Sequence, residues 1–257
     1  MEKLREIRHG ESNKSLSVVQ GYLKKYGYLN PVHSPEPILG ERTSSALRSF
    51  QKFFHLSVTG MVDRATIRAM KAPRCGLKDW EGDQPLPSCR WPKDIRVLLY
   101  SFGRTSSELS SQDAFGAVQN AIDSWNDILS ALKTNLQFRG RSTEAELHVK
   151  IEWFDPDTDV GLKGTPVAHA DLPPDCGVVT GKNLPKPVHF DDEEYWTLDQ
   201  VADEFHVESV AMHELGHILG LPHSAESGSI MSPTLPPDFI HPGPTPLDII
   251  NLGNLYL

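Results

Sequence analysis

The stretch His213-Glu214-Leu215-Gly216-His217-Ile218-Leu219-Gly220-Leu221-Pro222-His223 decides how the chain is read. Residues four apart share a helix face. His213 and His217 therefore present their imidazoles to one point, as a single Zn²⁺ with nitrogen ligands at about 2.0–2.1 Å requires. The next turn of a straight helix cannot supply a third ligand without losing the tetrahedral angle, so the chain must bend. Gly220 is where a positive φ costs least, and Pro222 keeps Leu221 extended, which lets His223 swing back to the same ion. Three neutral imidazoles leave the ion its full charge and one open position. Glu214, next to the first ligand, is placed to take a proton from water whose pKa the metal lowers, and to hand it to a leaving amine. The bland alternative is a helix whose histidines and glutamate face solvent.

Outward from this motif the chain divides into segments. A helix is predicted over Val207 to Leu219, a Pro-rich loop over Ile230 to His241, and a last helix over Leu247 to Leu255. Upstream, Ser111 to Leu132 reads as a long amphipathic helix with Ala114, Val118, Ala121, Ile122, Trp125 and Leu129 on one stripe. Strands are predicted over Ile95 to Phe102, Leu147 to Phe154, Val167 to Ala170 and Val188 to Phe190. Residues 91–257 form this second domain. Residues 73–90 are Pro-rich and aperiodic and read as an exposed linker. Residues 18–72 carry three short helices: one ending before Gly27, one capped by Thr43 with Leu47, Phe50, Phe53 and Phe54 on a face, and one capped by Asp63. Residues 1–17 are polar and lack the apolar stretch of a secretory signal.

Composition narrows the function classes. The chain has 257 residues, 39% hydrophobic and 23% charged, with a net charge of −9. Such an acidic surface argues against nucleic acid or an anionic membrane as the general partner, and no apolar run is long enough to span a bilayer. Three cysteines, Cys75, Cys89 and Cys176, allow one bridge at most, and pairing of Cys89 with Cys176 stays open.

The histidine motif, matched in full as H-E-x-x-H-x-x-G-x-x-H, resembles that of the matrixins, a family of zinc endopeptidases. Ile230-Met231-Ser232-Pro233 resembles the family's Met-turn, which implies Met231 as an apolar floor beneath the metal. Pro73-Arg74-Cys75-Gly76-Leu77-Lys78-Asp79 resembles its cysteine switch. That resemblance implies Cys75 as a fourth zinc ligand in a latent form, with Arg74 and Asp79 pairing to hold the loop. Leu77 and Lys78 depart from the family pattern, and the missing proline predicts looser latency. The helical region before it is similar to a peptidoglycan-binding prodomain, which brings in a rival function, anchoring to a glycan wall or matrix by a protein whose protease site has decayed.

The resemblance implies an α+β fold: a three-helix prodomain, then a mixed five-stranded sheet with three helices, and no hemopexin-like domain. It implies a substrate-pairing edge at Val167-Ala168, a specificity pocket walled by Pro233 to Leu235, and an Asp248 that pairs with the new amino terminus after activation. It also implies a structural zinc held by His169 and His189 with Asp157 or Asp159, and a calcium held by Asp191 and Glu194. The expected protein is a secreted, monomeric zymogen that hydrolyses internal peptide bonds of extracellular-matrix-type proteins, activated by a cut between about Asp79 and Trp91.

Overall fold

The computed structural model describes residues 4–32, 36–81, 84–141, 146–156 and 166–257. The chain forms two compact units: Met1–Ala72 with Lys78–Leu86, and Pro73–Leu77 with Pro87–Leu257. Among the described residues no helix is long and apolar enough to cross a membrane.

The first unit holds α1 (Ser15–Lys25), α2 (Glu41–Phe53) and α3 (Arg64–Lys71), with a short antiparallel pair, β2 (Trp80–Glu81) and β3 (Gln84–Pro85). Leu47, Phe50 and Phe53 are buried at helical spacing on α2. The same face buries Gln51, whose amide is satisfied by the loop it holds: Nε2 donates to Met61 O and Thr66 Oγ1, and Oε1 accepts from the Thr59 and Gly60 amides. Asp63 caps α3 as expected, accepting from Thr66 N. Thr43 does not cap α2. The cap position is Gly40, and Thr43 lies in the first turn, where both its amide and its hydroxyl donate to Glu36 from the preceding loop. A distant carboxylate thus satisfies the orphan donors that a local hydroxyl was expected to meet.

The second unit is a mixed sheet on two long helices. Its strands are β1 (Arg74–Cys75), β4 (Val97–Phe102), β5 (Gln137–Gly140), β6 (Val149–Phe154), β7 (Pro166–Ala170) and β8 (Lys186–Asp191), in the order β1-β7-β8-β6-β4-β5. All pairs are parallel except β7 with β8. Strands β4, β6, β7 and β8 fall on the four segments predicted, β5 is a fifth that no prediction covered, and the sixth, β1, comes from residues 74–75. A further parallel pair joins β9 (Trp196–Thr197) to β10 (Phe205–His206). Helices α4 (Ser111–Ala131), α5 (Val207–Ile218) and α6 (Pro246–Tyr256) complete it. The predicted apolar stripe of α4 is buried in full. Trp125 at its centre donates its indole N–H to Met212 O of α5 at 2.9 Å, which ties the two helices together where the metal motif begins.

Candidate metal centre and cleft

Helix α5 carries His213, Glu214 and His217 fully buried, and His223 follows nearly so. His213 Nδ1 lies 2.7 Å from Ile230 O, and His217 Nδ1 lies 2.7 Å from Leu221 O. A carbonyl can only accept, so each Nδ1 carries the proton, and each Nε2 is left with a bare lone pair. Burial, then the neighbouring imidazoles, hold both residues well below the usual histidine pKa, so neither ring takes a second proton. Yet the two Nε2 atoms stand 3.0 Å apart. Two acceptors facing at that distance repel unless a cation lies between them. The turn that returns His223 is the one expected: Gly220 has φ +97. Ring centroids of His223 lie 5.4 Å from His213 and 4.8 Å from His217.

Cys75 completes the set. One ligand atom each from Cys75, His213, His217 and His223 falls within 4.8 Å of every other, and among the described residues this is the one group of three or more metal-capable side chains. Cys75 Sγ is 3.5 Å from His217 Nε2. Zinc ligands at about 2.3 Å for sulfur and 2.0–2.1 Å for nitrogen stand roughly 3.5 Å apart in a tetrahedron, so the donor set fits Zn²⁺. Sγ is also 3.5 Å from Glu214 Oε2. With no cation in the site, burial and then the Glu214 carboxylate push the Cys75 thiol above its ordinary range, and burial raises Glu214 to about 8 against hydrogen bonds from Cys75 and Ala170; the charge of a bound divalent ion would oppose both shifts.

The backbone around Cys75 lies in a cleft between two walls. Gly76 N donates to Ala168 O at 2.8 Å, and residues 74–75 run parallel to β7. On the other side Cys75 N donates to Pro233 O at 3.0 Å, and Leu235 N donates to Pro73 O at 3.0 Å. The flanking segments are Val167-Ala168 of β7 and Pro233 to Leu235, and the chain's own backbone lies between them.

Residues 90–256 match the matrixin family, well over half of the chain. This chain is a matrixin. Residues 12–70 match the peptidoglycan binding domain family. Among curated proteins, human matrix metalloproteinase-20 is 32% identical, covering 84% of this chain and 43% of its own length. Metalloendoproteinase 1 of Glycine max is 30% identical, covering 89% of this chain and 77% of its own. Human matrix metalloproteinase-19 is 32% identical, over 82% of this chain and 40% of its own length. The chain thus spans less than half of the human relatives it matches. Matrixins are zinc metalloendopeptidases, hydrolases of internal peptide bonds.

In this matrixin Met231 is buried, and its thioether packs against α5 so closely that a Cβ on Gly216 would meet Sδ at 2.4 Å. Asp248 is 2% exposed and fully engaged. It accepts from the Ser229 hydroxyl, from Ile230 N at 3.1 Å, and from both the amide and hydroxyl of Thr245 in a capping box. In this structure it ties the Met231 loop to α6. Arg74 is buried with Nε donating to Cys75 O, and Asp79 accepts from the Tyr28 hydroxyl at 2.8 Å. Lys78 pairs with Glu81 at 2.7 Å.

A cavity of about 280 Å³ shares Ile230 and Leu235 with the cleft. Val210, Pro236 and Phe239 supply apolar lining, and His206, Ser209 and His241 add polar groups. Ser209 Oγ accepts from His241 N at 2.8 Å and contacts His206 Nδ1 at 2.8 Å. No sequence motif marks these polar groups. Ser209 precedes His213 by four residues on α5, so helical spacing was the signal that could have found it.

The remaining metal assignments assemble less completely. His169 and His189 lie directly opposite on β7 and β8, with rings 5.1 Å apart. His189 stacks on Phe154 at 4.7 Å and reaches Glu152 at 3.7 Å. Asp157 and Asp159 lie outside the described residues. Asp191 accepts from Glu193 N and Glu194 is half-buried; burial raises both carboxyls, Asp191 to about 6.

Proposed function

We propose that this matrixin is a zinc-dependent endopeptidase held latent by its own Cys75, with Glu214 as the proton-transfer group and matrix-type proteins as substrates. The observation that carries this reading is the convergence of Cys75 with the three histidines while residues 73–76 occupy the cleft as an extended strand. Bound by His213, His217 and His223, Zn²⁺ supplies a Lewis acid for the scissile carbonyl and lowers the pKa of water. The chain's residues do the rest. The β7 edge and the Pro233–Leu235 segment offer backbone partners to any extended peptide, a sequence-tolerant mode of binding. Glu214 stands 3.5 Å from the position Cys75 Sγ takes, so a water in place of that sulfur lies within its reach. There the carboxylate accepts the water's proton and returns it to the leaving nitrogen. The side chain after the scissile bond enters the cavity lined by Val210, Leu235 and Phe239.

Replacing Glu214 by Gln tests the role directly. Peptide cleavage should fall about 10²–10⁴-fold, while metal analysis still finds one catalytic zinc; undiminished turnover refutes the assignment. The Cys89–Cys176 disulfide fits an oxidising, extracellular setting. A second reading, glycan anchoring, rests on the match of residues 12–70. Retention of the full chain on insoluble peptidoglycan supports it, and free passage removes it.

A further inference from the structure

The disulfide joins the end of the linker segment to a loop of the sheet. Cys89 lies one residue before the matrixin match begins, and its partner Cys176 lies 87 residues on, in the loop between β7 and β8. That loop is wrapped on a buried carboxylate. Asp171 accepts from Leu172 N, Val178 N, Val179 N and Thr180 N, and from Lys186 Nζ at 3.2 Å, with both charged side chains inaccessible. Cys176 therefore projects from a fixed scaffold.

Cys89 meets the metal site at the end of α5. A helix leaves its last carbonyls without internal partners. Here the last helical carbonyl, Ile218 O, and the next two, those of Leu219 and Gly220 in the turn, are all taken up from outside the motif. Trp91 Nε1 donates to Ile218 O at 2.7 Å, the Tyr256 hydroxyl to Leu219 O at 2.9 Å, and Cys89 N to Gly220 O at 2.9 Å. Trp91 N donates in turn to the Tyr256 hydroxyl at 3.3 Å. The contact is tight enough that a Cβ on Gly220 would lie 1.6 Å from Cys89 O. These carbonyls belong to the turn that carries His223 back to His213 and His217.

We infer that Cys89 and Trp91, clamped by the Cys89–Cys176 disulfide, are positioning residues that fix the Ile218–Gly220 turn and so hold His223 on the metal. The inference rests on the three-histidine zinc site proposed above. It makes residues 89–91 part of the working enzyme, so the disulfide retains on the catalytic unit a segment whose first two residues, 89 and 90, read from sequence as linker.

The test uses the full chain loaded with Zn²⁺. The Cys89→Ser, Cys176→Ser double variant removes the clamp and leaves no new thiol. Trp91→Phe keeps the ring and deletes the indole donor. Zinc transfer to a chromogenic chelator is timed for both, and each is also reloaded with Co²⁺ for its visible spectrum. Supporting partners of metal ligands are worth roughly 10–100-fold in metal affinity. Release should quicken by about tenfold or more in each variant, with an altered cobalt spectrum. A purely structural clamp would lower the melting temperature and leave both readouts unchanged, and wild-type release rates in both variants overturn the inference. A wild-type chain that holds no zinc overturns the site itself, a distinguishable failure.

Discussion

Gly220→Ala separates two costs that the structure places on one residue. At φ +97 a side chain is strained wherever it points, by about 1–3 kcal/mol. The added methyl must also displace Cys89 O, which a Cβ would approach to 1.6 Å. Cys89 gives way only by loosening its own amide bond to Gly220 O, worth about 0.5–1.5 kcal/mol, against the tether to Cys176. The sum is a loss of roughly 2–4 kcal/mol. Urea unfolding of the full chain at one fixed zinc concentration measures it, since bound ligand shifts apparent stability. Four of the five tryptophans, Trp91, Trp125, Trp153 and Trp196, report on the catalytic unit. Two controls make the reasoning refutable. Gly243 has φ +107 with nothing within 4 Å of its would-be Cβ, so Gly243→Ala gives the dihedral cost alone. In the Cys89→Ser, Cys176→Ser background the untethered segment can retreat, so Gly220→Ala should cost about 1 kcal/mol less there, a coupling that a double-mutant cycle detects. A Gly220→Ala penalty equal to that of Gly243→Ala, or unchanged when the disulfide is gone, refutes the account.

Other expectations are more direct. If Cys75 is the fourth ligand proposed above, Cys75→Ser removes it, so the uncut chain should show basal peptidase activity well above wild type; equal activity on a fluorogenic peptide would contradict latency through Cys75. A peptide-bond cut after Arg90 leaves the prosegment attached through Cys176, whereas a cut before Cys89 releases it; nonreducing and reducing gels of nicked chain distinguish the two, and release of a fragment ending at Arg90 without reductant contradicts the bridge. Asp171→Asn leaves Lys186 buried without its counter-charge and should cost about 3–5 kcal/mol near neutrality. Burial would raise the Asp171 pKa, but hydrogen bonds from Thr180, Val179 and Val178 outweigh it and hold the carboxyl below its ordinary value. Its contribution is therefore complete above pH about 4 and is lost as pH falls through the lower folded value, so the gap between wild type and variant should narrow from pH 6 to pH 3 in urea midpoints. A gap independent of pH would argue against an ionised Asp171.

The convergence of His213, His217 and His223 was legible because its geometry is local. His213, Glu214 and His217 lie within five residues, and one glycine and one proline set the bend to His223, so helix periodicity and turn chemistry sufficed. The α4 stripe was legible for the same reason. β5 was not: in Gln137–Gly140 only Phe138 is buried, too short an alternation to rise above loop, and the strand exists because β4 pairs with it. The cap of α2 was misassigned because Thr43 has the right chemistry in the wrong place, and Glu36 competes for the same amides.

What stayed dark shares one physical property: the partners are distant in sequence and the residues ordinary in type. Nothing in Trp91 announces that its indole N–H closes the helix 127 residues later, and nothing in Lys186 announces a buried carboxylate opposite. A sequence pattern records periodicity within one element, whereas the carbonyls at an element's end are satisfied by whatever the fold brings there. Resemblance implies a charge partner for a new amino terminus at Asp248; in the uncut chain its carboxylate oxygens accept from Ser229, Ile230 and Thr245. A covalent anchor is nevertheless present at residue 89: the Cys89–Cys176 bridge keeps Cys89, whose amide donates to Gly220 O, on the catalytic unit whichever bond upstream of it is cut.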